Sequence, residues 1–151
     1  MKIDRTGGIH VWLVLWKAYD SLRRYAERNI ASLPLGMSDF AILEALLHKG
    51  PLPVNVIAAK VRLTSGSASV AIDRLESKGF VERKPHAIDR RTRVIHLTVE
   101  GRKLIQAAFH DHAAAMEQAT SSLSRKERAE LVALLKRLGR GAQQMPESGE
   151  S

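Results

Sequence analysis

The chain lacks cysteine entirely, which excludes disulfide bridges, cysteine-based zinc sites and thiol redox switches. Aromatic residues make up only 5% of its 151 residues, so the core must rest on Leu, Ile, Val and Ala. No segment reaches the roughly 18 apolar residues that a membrane span needs. The first residues, MKIDRTGGIH, also lack the apolar stretch of a secretory signal. We therefore expect a cytoplasmic protein with no membrane partner.

Positive charge is concentrated in the middle third of the chain. The whole sequence carries a net charge of +8, and the segment from Pro51 to Lys103 holds 11 Lys and Arg against five Asp and Glu. Such an excess favours an anionic partner, but a solvated charged face would have the same composition. The charge alone leaves both interpretations open.

The spacing of apolar residues predicts four helices in the first half of the chain. The first should span residues 9–31, and the second should begin at an N-cap of Ser38. A short third helix is predicted over residues 53–61. The fourth should follow an N-cap of Thr64 and end at Lys78, with Ala68, Ala71, Ile72 and Leu75 on its buried face.

Two strands and two further helices are predicted after the fourth helix. Residues 80–83 and 93–98 have the composition of strands, and the turn-forming segment PHAIDRRT joins them as a hairpin. Thr98 should cap a long helix, and Ser124 with Glu127 forms a capping box that opens the last one. The expected fold is mainly α, with a small β-hairpin.

The third and fourth helices and the hairpin together predict a DNA-binding unit. Two short helices joined by a tight turn present the second one outward, where its N-terminal residues can reach base edges in the major groove. Small side chains at its start can enter the groove, and the helix N-terminus favours phosphate. Arginines at the hairpin tip suit a minor groove. Asp89 is expected to pair with a neighbouring arginine and so to shape that tip.

The segments LTSGSASVAIDRLESKGFVER, HAIDRRTRVIHLT and EGRKLI resemble the MarR (multiple antibiotic resistance regulator) family of bacterial transcription factors. The resemblance extends over about residues 35–104. It implies a winged helix-turn-helix lobe over residues 35–98, flanked by helical dimerisation segments at 9–31 and 99–140. It also implies a homodimer that binds double-stranded DNA, usually as a repressor at an inverted repeat. We expect one domain over residues 1–151, with a frayed tail from 141 to 151.

The predicted DNA contacts combine the residue-level argument with this resemblance. They are Asn55, Thr64, Ser65, Gly66, Ser67, Ser69, Arg74, Arg83, Asp89, Arg90 and Arg91. Family members commonly respond to small aromatic or other organic molecules, and aromatic side chains could line such a pocket here. The candidates are Trp12, Trp16, Phe40, Phe109 and His112, although aromatic residues at helical spacing are more often part of a core.

Two other classes of protein fit the sequence less well. An enzyme is not expected, because the common phosphate-binding, dinucleotide-binding, zinc-protease and serine-hydrolase motifs are absent. No cofactor and no metal are expected either, since His110 and His112 lie two apart on a helix and point in different directions. A winged-helix module that binds another protein instead of a specific DNA is the main alternative.

Overall fold

The structure, a computed structural model, describes residues 4–33, 35–89 and 91–145. It is mainly helical with a small antiparallel sheet, as the sequence predicts. In chain order the elements are α1 (Gly8–Ala31), α2 (Met37–Lys49), β1 (Leu52–Pro53), α3 (Val54–Val61), α4 (Ser65–Ser77), β2 (Val81–Pro85), β3 (Arg93–Leu97), α5 (Val99–Ala119) and α6 (Arg125–Gln143).

The chain divides into two compact units, one ending at Met116 and one beginning at Glu117. The first unit has a core of aliphatic side chains from α2, α3, α4, β3 and α5. Its most deeply buried large members, each at most 1% exposed, are Ile42, Leu43, Leu46, Ile57, Ile72, Leu75, Ile95 and Ile105. Burying each such side chain contributes about 1.5–3 kcal/mol. The domain boundaries expected from the sequence stay a prediction.

Three of the four predicted helix caps are present. Thr64 accepts a hydrogen bond from the backbone N–H of Ser67 at 3.1 Å, and Thr98 accepts one from Gly101 at 3.0 Å. Ser124 and Glu127 form the reciprocal capping box. These side chains satisfy backbone donors that have no partner inside the helix.

The Ser38 cap was wrong. The second helix begins at Met37 with Gly36 as its N-cap, and the backbone N–H of Phe40 donates to the carbonyl of Gly36 at 2.9 Å. Ser38 is therefore already helical. Packing explains the earlier start. A helix that begins at Met37 places Asp39 and Phe40, the two residues after Ser38, in the protein interior, where each is 2% exposed.

The sheet contains a strand that the sequence analysis missed. Its order is β1-β3-β2, and every pairing is antiparallel. Pro53, which was assigned to the third helix, is instead extended and pairs with Val94, so α3 begins at Val54. A two-residue strand carries no periodic signal, and only its neighbour β3 defines it. In the hairpin, β2 extends to Pro85, beyond its predicted end at residue 83.

The last helix continues to Gln143, into the segment expected to form a frayed tail, whose residues 146–151 lie outside the described part of the chain. Of the helices described, none combines the length and the apolar character that a membrane crossing requires.

Candidate nucleic-acid interface

A sharp turn between α3 and α4 sets the direction of the second helix. Arg62 closes α3 in the left-handed conformation, with φ of 55°, and the backbone N–H of Leu63 donates to the carbonyl of Ala58 at 2.9 Å. Among the described residues, Arg62 is the only one other than glycine with a positive φ. The chain can therefore start α4 at once, and Ala68, Ala71, Ile72 and Leu75 turn into the core as predicted.

Small polar residues line the start of α4 on its solvent side. Thr64, Ser65, Gly66 and Ser67 are exposed, and Ser69 is half-buried. The hydroxyl of Thr64 donates to Ser67 Oγ at 2.9 Å while it accepts the Ser67 N–H, so these two side chains are ordered by the cap. The five predicted contacts at this helix start thus form one surface, which we call the serine face (Thr64, Ser65, Gly66, Ser67 and Ser69). Its surface holds no bulky side chain that would obstruct a groove.

The hairpin tip is ordered by side-chain contacts to its backbone. His86 Nδ1 accepts the backbone N–H groups of Ile88 and Asp89 at 3.2 and 3.3 Å. The Asp89 carboxylate accepts the backbone N–H of Arg91 at 3.0 Å and the hydroxyl of Thr92 at 2.9 Å. These hydrogen bonds, with the Arg91 N–H as the main one, hold the pKa of Asp89 below its ordinary value. Asp89 therefore shapes the tip through backbone and hydroxyl groups.

Of the two arginines at the hairpin tip, Arg91 belongs to the described part of the chain and Arg90 does not. Arg91 is exposed, as a DNA contact requires. Arg90 lies outside the described residues, so its predicted contact stays a prediction.

Arg83 on β2 is engaged by acidic side chains of α4. Its guanidinium bonds Asp73 Oδ1 at 2.5 Å and also bonds the carboxylate of Glu76, which in addition accepts the Arg83 backbone N–H at 3.2 Å. The Arg83 side chain is only 26% exposed. The ion pairs join the hairpin to the helix, and the charge of Arg83 is already balanced by two carboxylates.

Arg74 on α4 pairs with Asp39 on α2. The Arg74 Nε lies 3.2 and 3.1 Å from the two carboxylate oxygens, and Nη2 bonds Oδ1 as well. The side chain of Asp39 is 3% exposed and that of Arg74 is 44% exposed. Hydrogen bonding to this carboxylate raises the pKa of the Arg74 guanidinium above its ordinary value. Lys78 Nζ stands 3.9 Å from the second oxygen.

Asp39 was not predicted as a functional residue from the sequence. One signal for it was available, because an acidic residue directly precedes the apolar run FAIL at the start of α2. Its partner lies 35 residues away in the sequence, and nothing local identifies it.

Asn55, the second residue of α3, is exposed at the N-terminal end of that helix, where a phosphate can approach backbone N–H groups.

The candidate ligand residues separate into two groups. Phe40 is buried and packs edge-on against the His112 ring at a centroid distance of 5.1 Å, and Phe109 packs likewise against His48 at 4.7 Å. His112 Nδ1 also lies 2.8 Å from Asn29 Oδ1. Trp12 and Trp16 on α1 are instead 58% and 55% exposed.

A pocket of about 360 Å³ lies between α2 and α3, and its lining contains none of these five candidates. Within the described residues, no group of three or more His, Asp or Glu side chains is clustered as a metal site would require.

Comparison with known proteins gives consistent relatives. A model of the MarR family matches residues 35–92. The chain is 36% identical over 136 residues to the HTH-type transcriptional regulator MhqR of Bacillus subtilis (strain 168), an alignment that covers 90% of this chain and 94% of that protein.

Solved structures share the fold. A mutant of MarR from E. coli in complex with operator DNA matches with a TM-score of 0.75 at 21% identity, covering 91% of this chain and 99% of that one. Bordetella bronchiseptica BpsR, whose DNA binding is regulated by 6-hydroxynicotinic acid, matches with a TM-score of 0.75 at 20% identity, covering 92% and 97%. At these identities, the likeness establishes a common fold.

Proposed function

The chain belongs to the MarR family of transcriptional regulators, and from this premise we propose that it binds a specific DNA duplex as a homodimer and represses transcription there. Members of this family are transcriptional regulators, not enzymes. The observation that carries the proposal is the serine face, an exposed and unobstructed start of α4, whose second half is joined to the hairpin by the ion pairs of Arg83. Since chromosomal DNA is the partner, the proposed location in a bacterial cell is the cytoplasm.

The serine face is the proposed major-groove surface. Its hydroxyl groups can donate to or accept from base edges, and Gly66 allows close approach of the backbone. Asn55 and the N-terminus of α4 are assigned to phosphates. At the hairpin tip, Arg90 and Arg91 are assigned to the adjacent minor groove, where arginine favours the enhanced negative potential of A·T-rich sequence.

Arg74 and Arg83 enter the proposal in a different role from the one expected from the sequence. Both guanidinium groups are bonded to carboxylates, Arg74 to Asp39 and Arg83 to Asp73 and Glu76. We assign them to holding α4 against α2 and against the hairpin, so that they position the DNA-contacting surface.

Exposed apolar surfaces on α1 and α6 support the homodimer. On α1 the exposed side chains are Ile9, Val11, Trp12, Val14, Trp16, Tyr19 and Leu22. On α6 they are Leu131, Val132, Leu134, Leu135 and Leu138, and α6 has no buried residue of its own. Many exposed apolar side chains on one helix are typical of an association site. A second copy would also place two α4 helices roughly 34 Å apart, one DNA turn, over an inverted repeat.

A small aromatic or other organic effector is proposed to release the DNA. The support is two ring pairs, Phe40 with His112 and Phe109 with His48, together with the regulation of the related fold BpsR by a small aromatic acid. An effector that prefers a spacing of the two lobes unsuited to one DNA turn shifts the population away from the bound state.

Selection from random duplexes, followed by fluorescence anisotropy at moderate salt, tests DNA reading. We expect one selected sequence to bind far more tightly than competitor DNA, with log K falling linearly with log salt. Ser67→Leu should abolish binding, because its bulk fills the groove surface. The matched change Ser121→Leu, at an exposed serine between α5 and α6, should leave binding intact. Failure to select any duplex above competitor would refute the proposal and favour a protein-binding winged helix.

Sedimentation equilibrium at micromolar concentration tests the dimer. The wild-type protein should have twice its chain mass, and Trp16→Glu on the exposed face of α1 should shift it towards the monomer. Ile88→Glu makes a comparable change at the 91% exposed hairpin tip and should remain dimeric. A monomeric wild-type chain would contradict the role given to α1 and α6.

A further inference from the structure

Val70 is an apolar side chain on the solvent face of α4. It is 62% exposed, and it is the only large apolar residue of this fully described helix that lies outside the core. Four other residues, Ala68, Ala71, Ile72 and Leu75, fill the buried face and are at most 2% exposed.

The position of Val70 on the helix places it at the centre of the outward surface. Gly66 lies four residues before it and Asp73 three residues after it, so the three share one face of α4. A Cβ added at Gly66 would meet no neighbouring atom within 4 Å, so the space on this side is open. The nearest residues of the serine face on either side, Ser67 and Ser69, carry only hydroxyl groups. Val70 is therefore the apolar side chain of this face, between the serine-lined helix start and Asp73, whose carboxylate is paired with Arg83.

Neither the fold nor the helix explains a valine at this position. A β-branched residue is a poorer helix former than alanine, and its exposed surface gains nothing from the core. A single exposed valine would be unremarkable on an ordinary surface. This one stands in the middle of the proposed DNA-contacting face, one turn after the serine-lined helix start.

We propose that Val70 recognises thymine, by packing its methyl groups against the C5-methyl of one thymine in the major groove of each half-site. Thymine is the base that presents an apolar group in that groove, and small apolar side chains contact it there. The inference rests on the proposed DNA-binding function and makes Val70 a specificity-determining residue. The serine face supplies polar contacts, whereas Val70 distinguishes thymine from cytosine at one position.

Deoxyuridine substitution tests this contact directly, because it removes only the thymine methyl and keeps the base-pairing edges. In the selected duplex, each thymine is replaced in turn, symmetrically in both half-sites. For wild-type protein we expect one position at which the loss of the methyl weakens binding about fourfold per half-site, or about fifteenfold for both. The Val70→Ala variant should bind the thymine duplex more weakly by a similar factor and should be insensitive to deoxyuridine at that position.

Met145→Ala is the control, since it also shortens an exposed apolar side chain, 71% exposed, at a residue assigned neither to DNA binding nor to dimerisation. It should retain both the wild-type affinity and the wild-type deoxyuridine response. The Val70→Ala variant keeps a good helix former at an exposed site, and circular dichroism checks that it is folded.

The outcomes separate this inference from the function on which it rests. If no duplex is bound above competitor, both fail. If a duplex is bound tightly but no deoxyuridine position matters, or if Val70→Ala keeps the full deoxyuridine response, only the thymine contact is overturned.

Discussion

Replacing Arg74 by glutamine removes the guanidinium that neutralises the Asp39 carboxylate. Asp39 is the one charged residue among the buried side chains of the described chain, at 2% exposure. After the change, its nearest remaining cation is Lys78, whose Nζ lies 3.9 Å from one oxygen. The carboxylate would lose its direct hydrogen-bond donors and would have little access to water.

The expected cost lies between two limits. Breaking a fully buried ion pair costs about 3–5 kcal/mol, whereas an exposed pair contributes about 0–1 kcal/mol. The Arg74 side chain is 44% exposed, so solvent already screens part of the interaction, and Lys78 compensates for some of the loss. We therefore expect Arg74→Gln to lower the free energy of unfolding by about 1–3 kcal/mol.

Urea unfolding at a fixed protein concentration, followed by circular dichroism, measures this change. With m near 2 kcal/mol/M, the midpoint should fall by roughly 1 M while m stays the same. Asp39→Asn should cost less, because a half-exposed guanidinium can be hydrated whereas a buried carboxylate is not. The double variant should be more stable than the sum of the single losses predicts.

A matched control is Lys103→Gln, which breaks an ion pair with Glu100 whose two side chains are 69% and 70% exposed. It should not change the midpoint measurably. An Arg74→Gln loss below about 0.5 kcal/mol, or single losses that simply add, would refute the reasoning that this pair joins α4 to α2.

Two further predictions concern stability. Gly101→Ala should lower the melting temperature, because a Cβ there would lie 1.9 Å from the carbonyl oxygen of Phe80, and overpacking typically costs about 1–3 kcal/mol. Gly66→Ala, where a Cβ meets nothing within 4 Å, should leave it unchanged or slightly higher, and equal melting of the two variants would contradict this packing. The Ser124 backbone N–H, followed by its hydroxyl, holds the pKa of Glu127 below its ordinary value of 4.5. The stability that the ionised Glu127 carboxylate contributes is therefore fully present above pH 4.5. It is lost as the pH falls through the lower pKa of Glu127 in the folded state. Glu127→Gln should reduce the acid sensitivity of melting below pH 4.5, and an unchanged pH profile would count against the capping contribution.

Local signals accounted for much of the helical architecture. Thr64, Thr98 and the pair of Ser124 and Glu127 cap helices as predicted, since a cap depends on residues within one turn. Periodicity identified the buried face of α4 for the same reason. The predicted N-cap at Ser38 was wrong because tertiary packing sets the start of α2. The strand β1 was not predicted because it is defined by its pairing with the distant strand β3.

The location of the candidate site, at the start of α4 and the hairpin tip, was predicted from the sequence and stays a prediction. The serine face and the ordered hairpin tip follow from short stretches of sequence. The partners of Arg74 and Arg83 do not, because the pairing carboxylates come from other elements, and both arginines had been assigned directly to DNA. The spacing of apolar residues also did not predict the exposed position of Val70. Such spacing predicts which residues are buried in the core, and not which exposed residues a binding partner will cover.

The sequence by itself determined the order of the helices, most of their caps, the family and the surface proposed to face DNA, because each depends on residues close together in the chain. Only the tertiary structure decided how that surface is supported. The buried Asp39 carboxylate with its Arg74 partner and the pairing of β1 with β3 join segments that are distant in sequence, and the ion pairs of Arg83 join the neighbouring elements α4 and β2. Those contacts form only when packing of the core brings the segments together. The same packing brings Arg74 and Arg83 close to the carboxylates with which they pair.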